Sequence, residues 1–206
     1  MSYGRDDFAV EFGVSRETLA KLDRYGELLA EWQEKMNLVG PSTLPTLWER
    51  HFRDSAQLAE LAPTLGHKPV WLDIGAGGGF PGLVLAAMGA GEINLVESIA
   101  KKCLFLRTVA EELGLADAIV HNARVESMPR FRADVITARA CANLAQLFDW
   151  GLRFAAPPTL WLLPKGAAVE EELATARTRF AFDAELVQSR SDARGQIVVA
   201  TGVKRK

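Results

Sequence analysis

Long apolar runs are missing from this sequence, and so is a basic start leading into an apolar segment. No stretch reaches the roughly 18 consecutive apolar residues that a membrane helix needs, so no span is expected. Met1 to Asp7 is polar and carries Asp6 and Asp7, the wrong composition for a signal peptide. Only two cysteines, Cys103 and Cys141, stand among 206 residues, which excludes a disulfide framework. The cytoplasm is therefore the expected compartment. The three histidines, His51, His67 and His121, show no metal-ligand spacing, so no metal is expected. Charge of one sign is also scarce: 24 Lys+Arg against 26 Asp+Glu leave a net charge of -2, so nothing global advertises nucleic acid. What is present, 49% hydrophobic and 24% charged residues, excludes a disordered, collagen-like or coiled-coil chain. This length supports one substantial core with a smaller appendage.

The small net charge hides an uneven distribution. Residues 1–69 carry 8 basic and 11 acidic side chains; the last stretch, 189–206, carries Arg190, Arg194, Lys204, Arg205 and Lys206 against Asp192. A basic end can meet phosphate, although a solvated terminus has the same composition. In residues 15–36, Leu22, Tyr25, Leu29, Trp32 and Met36 recur at steps of three and four, which predicts an amphipathic helix with Ser15 as its N-cap. Gly40, Pro41 and Pro45 break it, and a second helix is expected over 46–61. We therefore read 1–68 as a helical extension and 69–206 as the main domain.

From residue 69 strands and helices alternate. Strands are expected at 70–74, 92–97, 118–121, 134–138 and 159–163, with two more around Val187 and 197–200. Helices are expected to about 89 and at 99–113, 143–155 and 167–180. This rhythm predicts an α/β fold: a mainly parallel sheet of seven strands with helices on both faces, binding its ligand beyond the carboxyl ends of the strands.

The strongest local signal is Asp73-Ile74-Gly75-Ala76-Gly77-Gly78-Gly79-Phe80-Pro81-Gly82, placed where a strand runs into a helix. No Gly-Lys-Ser/Thr follows, which excludes a P-loop. Gly77 to Gly82 fits G-x-G-x-x-G, so a dinucleotide site stays open. Glu97, closing the second strand, suits the two ribose hydroxyls of any adenosine. Asp73 favours S-adenosylmethionine over NAD, because a carboxylate aimed into the loop would repel a pyrophosphate and welcome a sulfonium or an α-ammonium. Val125 and Glu126 stand where an adenine would reach, Arg139 and Ala140 close strand four, and Pro164-Lys165-Gly166 closes strand five.

The residues demanded by several acceptors are absent. Strand four ends in Ala138-Arg139-Ala140-Cys141 rather than in an Asn/Asp-Pro-Pro-Tyr/Phe run, so an exocyclic adenine amine is disfavoured. Cys141 is a weak candidate for attack on a cytosine ring. A lone-pair nucleophile such as guanine N7 fits, because it needs no base to remove a proton and positioning alone supplies much of the rate.

Several of these segments together resemble one family. Asn37-Leu38, Arg50-His51-Phe52-Arg53-Asp54-Ser55, the glycine loop, Glu97-Ser98, Lys101-Lys102, Phe105-Leu106, Ala123-Arg124-Val125-Glu126, Arg139-Ala140 and Leu163-Pro164-Lys165-Gly166 resemble the bacterial ribosomal RNA small subunit methyltransferase G (glucose-inhibited division protein B) family over roughly residues 30–166. The resemblance implies a Rossmann-like class I methyltransferase that moves a methyl from S-adenosylmethionine to N7 of a guanine in 16S rRNA. Its partner would be the small ribosomal subunit or an assembly intermediate, with no membrane contact, and a monomer is the default. It implies cofactor contacts at Gly75, Phe80, Val125, Glu126 and Arg139; the general logic of this cofactor fold adds Asp73, Gly77 and Glu97. No general base is required, and Arg139 is the candidate for positioning. Arg50, His51, Arg53 and Lys165 are candidates for holding the acceptor. For Arg50–Ser55 two readings stay open: a packing seam in which Arg50 and Asp54 satisfy each other, or a helix presenting Arg50 and His51 to RNA. Arg50, Arg53, Arg124, Arg139, Lys165, Arg194 and 204–206 are expected to ring the pocket mouth. Alternatives are another RNA or small-molecule acceptor, an NAD-dependent oxidoreductase, or a non-catalytic RNA-binding protein.

Overall fold

The computed structural model describes residues 3–206. Its sheet has seven strands in the order β3-β2-β1-β4-β5-β7-β6. These are β1 (Val70–Ile74), β2 (Glu92–Glu97), β3 (Ala118–Asn122), β4 (Val135–Thr137), β5 (Leu160–Lys165), β6 (Phe180–Gln188) and β7 (Gln196–Arg205). The first five are parallel, and β7 enters antiparallel between β5 and β6. From β1 the chain lays β2 and β3 on one side and β4 and β5 on the other. The crevice between β1 and β4 is thus the topological switch where such sheets bind ligands.

Side-chain alternation divides the core between two faces. Trp71, Ile93, Leu95 and Val135 point to one face, covered by α4 (Gly82–Ala87), α5 (Ala100–Glu112) and the N-terminal helices. Leu72, Ile74, Val96, Ile136, Trp161 and Leu163 point to the other, covered by α6 (Leu144–Gly151) and α7 (Val169–Arg179). Glu170, Glu171 and Glu172 open α7 while Arg177 and Arg179 close it, matching the helix dipole at both ends.

The N-terminal helices are α1 (Arg5–Phe12), α2 (Arg16–Gln33) and α3 (Asp54–Leu61). The Ser15 hydroxyl accepts from Thr18 N at 3.1 Å, the expected N-cap of α2. Leu22, Tyr25 and Leu29 are wholly buried against the sheet face, each contributing roughly 1.5–3 kcal/mol. The helix stops at Gln33 rather than near 36, because the Gln33 amide turns the chain: it accepts from Leu38 N and Val39 N and donates to Val39 O. α1 escaped the sequence reading because Phe8 is its only buried residue. The helix expected over 46–61 begins instead as a π-helical turn, Trp48–Arg53. Such wide turns re-aim side chains and recur at functional sites. β6 and β7 also run well beyond the short strands expected; in the edge strand β6 only Phe180 and Phe182 are buried, and the residues after them are exposed or half-buried, so no apolar run marks it. No helix among the described residues is long and apolar enough to cross a membrane.

Candidate cofactor cleft and acceptor rim

A cleft of about 1200 Å³ opens at the carboxyl ends of β1, β2, β4 and β5. The glycine loop forms one bank. Gly75 N and Ala76 N donate to Val96 O at 2.9 and 3.0 Å, pinning the loop to β2. Gly79 has φ 89°, and a Cβ there would lie 2.5 Å from both the Tyr25 hydroxyl and Leu83, so nothing larger fits. At Gly77, φ 55°, the nearest atom to such a Cβ is 3.7 Å away; this glycine turns its bare side to the cleft. The Tyr25 hydroxyl donates to Gly78 O from beneath. Glu97 lines the cleft with one carboxylate oxygen accepting from Gly77 N (3.1 Å) and the other from Ile99 N (2.8 Å). A carboxylate has about four acceptor positions, so lone pairs remain for a ligand diol. Beyond it, buried Val125 and exposed Glu126 form the far wall with Lys102 and Arg124.

Asp73 lies elsewhere than expected. Alternation along β1 sends it to the face of Trp71, beneath α4, and it does not line the cleft. Its Oδ2 accepts from Gly82 N at 3.0 Å, holding the end of the glycine loop, while Oδ1 has no partner among the described residues. Burial pushes its carboxyl up to about 7. The argument that Asp73 repels a pyrophosphate therefore loses its geometric basis.

The opposite bank is built from side chains. Phe80 stacks on Tyr25 with ring centroids 5.1 Å apart, and His51 and the Arg139 guanidinium lie 4.7 and 4.9 Å from the Phe80 ring. Arg139 donates from Nη1 to Asp54 Oδ2 (3.1 Å) and Arg50 O (3.1 Å), and from Nη2 to His51 Nδ1 (2.7 Å). A guanidinium only donates, so His51 Nδ1 accepts and its proton sits on Nε2, which donates to Thr43 Oγ1 at 2.7 Å. Burial first, then Arg139 and Arg50, pull the His51 pKa down to about 3, so the ring is neutral. Ala140, immediately after Arg139, adopts φ 54°, a strained value for a residue with a Cβ, at the lip of the cleft.

Of the acceptor candidates, Arg50, His51 and Lys165 line the cleft and Arg53 does not. Arg53 binds Glu11 at 2.8 Å and Arg190 O at 2.7 Å, and its guanidinium covers Tyr3; it joins α1 to the β6–β7 loop. Arg50 pairs with Asp192 at 2.8 Å rather than with Asp54, which corrects the pairing in the packing-seam reading. Lys165, with only 7% of its side chain exposed, pairs with Glu172 at 2.8 Å and donates to Ala142 O. Cys141 is exposed at the lip, and its thiol donates to Ile74 O at 3.3 Å. No cluster of three His, Cys, Asp or Glu able to hold a metal occurs among the described residues.

The ring of basic residues is incomplete. The antiparallel course of β7 brings Gln196 beside Lys165 at the mouth and carries Arg205 to Phe180 at the far end of the sheet. The 204–206 tail therefore lies away from the cleft, where Lys206 donates to Arg177 O and Arg205 pairs with Asp149. Sequence reasoning missed Thr43, Glu172, Ser189 and Ser191, all of which line the cleft. No local motif marks them; only the fold brings them to Arg139 and Lys165.

Comparison with known proteins identifies the family and the fold. The family profile described as GidB, rRNA small subunit methyltransferase G, matches residues 18–197. The chain is 45% identical over 197 residues to ribosomal RNA small subunit methyltransferase G of Rhodospirillum centenum, covering 96% of this chain and 90% of that protein. It is 42% identical over 204 residues to the protein of the same name from Parvibaculum lavamentivorans, covering 96% and 89%. Among solved structures, a variant of MtNAS in complex with S-adenosylmethionine is similar with a TM-score of 0.60 and 16% identity, covering 97% of this chain and 84% of that one. TYW2 from P. horikoshii in complex with MeSAdo is similar with a TM-score of 0.55 and 15% identity, covering 73% and 61%. These two likenesses concern the fold.

Proposed function

This chain belongs to the rRNA small subunit methyltransferase G (GidB) family, and from that premise we propose how its cleft divides the work. The enzyme transfers a methyl group from S-adenosylmethionine to N7 of a guanine in 16S rRNA. Family membership now carries the choice over NAD that Asp73 had carried.

The residues fit this cofactor. Gly77 leaves open backbone at the switch point, Glu97 keeps free lone pairs at the end of β2, and the orphaned Asp73 Oδ1 lies one layer behind the loop. On our reading Gly75, Gly77 and Phe80 form the floor, Glu97 takes the ribose, Val125 and Glu126 frame the adenine, and Arg139 stands at the methyl end. Asp73 acts from behind, by fixing Gly82. When bound, the cofactor supplies a methyl on a positively charged sulfur.

Guanine N7 carries its own lone pair, so no side chain removes a proton before transfer. The protein's task is to hold N7 in line with the methyl and to exclude water. Arg50, His51 and Lys165 border the space left for the base. Neutral His51 adds no charge beside a ring that becomes cationic. Residues 1–68 serve as the acceptor-side wall of the sheet unit formed by 69–206. We read the working form as a cytoplasmic monomer acting on the small subunit or an assembly intermediate.

The observation that carries this reading is the arrangement of Glu97 and Arg139 in one cleft, at the carboxyl ends of the two strands that flank β1. The experiment is methyl transfer from labelled S-adenosylmethionine to small subunits lacking native modification, followed by nucleoside mass spectrometry. A single new N7-methylguanosine is expected. No incorporation into subunits or naked 16S rRNA, with S-adenosylhomocysteine still bound, would refute the acceptor and keep the cofactor.

A further inference from the structure

Three cations border the methyl end of the cleft, and each has a carboxylate: Arg50 with Asp192, Lys165 with Glu172, and Arg139 with Asp54. The first ties the π-helical turn to the β6–β7 loop, and the second ties the end of β5 to α7. The third differs. Its guanidinium lies over Phe80 in the cleft wall, and both its side chains are largely buried, as those of Lys165 and Glu172 also are. The other recorded partners of Arg139, Arg50 O and His51 Nδ1, are neutral. Asp54 is therefore its one anionic partner among the described residues. Asp54 is also held in place: its Oδ1 accepts from Ser191 Oγ at 2.5 Å and from Gln57 Nε2 at 3.3 Å. The carboxylate cannot swing away when a ligand enters.

The methyl donor carries a full positive charge on sulfur, and the product left after transfer, S-adenosylhomocysteine, carries none there. A bare guanidinium at that end would repel the donor and spare the product. A guanidinium already neutralised does neither. Of the other carboxylates, Glu97 closes β2, two strands from the β4 whose end leads into Arg139, and Asp73 feels Arg139 from outside the cleft lining, buried so that its carboxyl is raised to about 7.

We propose that Asp54 is a positioning residue that acts through Arg139, balancing its charge so that the cleft accepts the sulfonium donor and does not favour the neutral product. This rests on the cofactor assignment above. It gives Asp54 a role in ligand discrimination separate from its structural link to the β6–β7 loop.

The test measures binding without turnover. Dissociation constants for S-adenosylmethionine and S-adenosylhomocysteine are determined by calorimetry for wild type, Asp54→Asn, Arg139→Met, the double variant and Ser191→Ala. Asp54→Asn keeps the shape and removes the charge. It is expected to weaken the methyl donor about tenfold while the product changes by less than about twofold, the scale of one unscreened charge at a partly buried site. In the double variant the donor-to-product ratio should return to the wild-type value, because the cation that Asp54 balances is gone. Ser191→Ala, which loosens Asp54 without discharging it, should keep the ratio. Equal weakening of both ligands by Asp54→Asn would reduce Asp54 to a structural residue and overturn the proposal. A ratio still shifted in the double variant would mean that Asp54 meets the ligand directly, and would overturn it too. If wild type bound neither ligand, the cofactor reading itself would fall. Melting temperatures identify any variant that fails to fold, and Arg139→Met against wild type still reads the same charge from the other partner.

Discussion

The two banks of the cleft are made in different ways. One is backbone: glycines, amides turned toward Val96 and Glu97, and a tyrosine hydroxyl bracing the loop from below. The other is side chain: Thr43, His51, Asp54 and Arg139, with Ser191 arriving from far along the chain. A backbone bank admits little alternative geometry, because a Cβ added at Gly75, Gly79 or Gly82 would come within 2.8 Å of a neighbouring atom. A side-chain bank is a network, in which one change leaves several partners unsatisfied. The first suits a cofactor common to many enzymes, and the second suits an acceptor that differs between them.

The largest effect should come from breaking the backbone bank. Gly79→Ala places a Cβ 2.5 Å from the Tyr25 hydroxyl at φ 89°. It should cost about 3 kcal/mol or more of stability, combining backbone strain with overpacking. Gly77→Ala, whose Cβ would meet only Gly75 O, at an ordinary contact distance of 3.7 Å, should cost about 1 kcal/mol and lose cofactor affinity instead. Chemical denaturation and ligand titration of both variants check this; equal stability losses would refute the contrast.

Arg139→Ala breaks the side-chain bank. It should lower kcat by about 100-fold, the scale of a misplaced reactant, with an unchanged circular dichroism spectrum. Wild-type turnover with unchanged cofactor binding would remove Arg139 from the site.

Acid titration separates the banks by sign. His51, about 3 when folded against 6.5 otherwise, is neutral in the native state and protonated in the unfolded chain. Its contribution is present above pH 6.5 and lost as pH falls, by about 1.4 kcal/mol per unit. Asp73, about 7 when folded against 3.8, does the reverse: its contribution is full below pH 3.8 and lost as pH rises through 7. Between pH 3.8 and 6.5 the two oppose each other. Relative to wild type, His51→Gln should gain stability on acidification and Asp73→Asn should lose it. Parallel pH curves for the two variants would contradict both assignments.

The smallest effects concern phosphate. Arg194→Glu, exposed in the β6–β7 loop between Asp192 and Gly195 that line the cleft, should weaken subunit binding and lower its salt slope by about one. Lys204→Glu with Lys206→Glu, at the far end of β7, should leave affinity and slope unchanged. Filter binding over a salt series measures both.

What could be read in the sequence follows the same division. β1, the glycine loop, β2 and Glu97 were legible because each is a local pattern, with strand alternation, glycines at a turn and a carboxylate at a strand end. The placement of Asp73 was not, although its cause is local: the two-residue period that buries Leu72 and Ile74 on one face sends Asp73 to the other. Asp54 was seen on the right helix but given Arg50 as its partner, because that pairing is close in sequence. The actual partner, Arg139, is 85 residues away. The tail was placed at the mouth because an antiparallel β7 reverses direction, which charge counting does not register. α1 was missed because one buried phenylalanine leaves no periodicity.

The β6–β7 loop has a consequence for the order in which this enzyme comes into being. Ser189, Ser191 and Asp192 complete the acceptor bank, and Arg190 reaches back across 179 residues to Glu11. A nascent chain that has already formed β1 to β5 holds the glycine bank and lacks the latch on Asp54. Ser191 must be made before the latch on Asp54 can close, so a product truncated before Ser189 would carry the glycine bank without that latch.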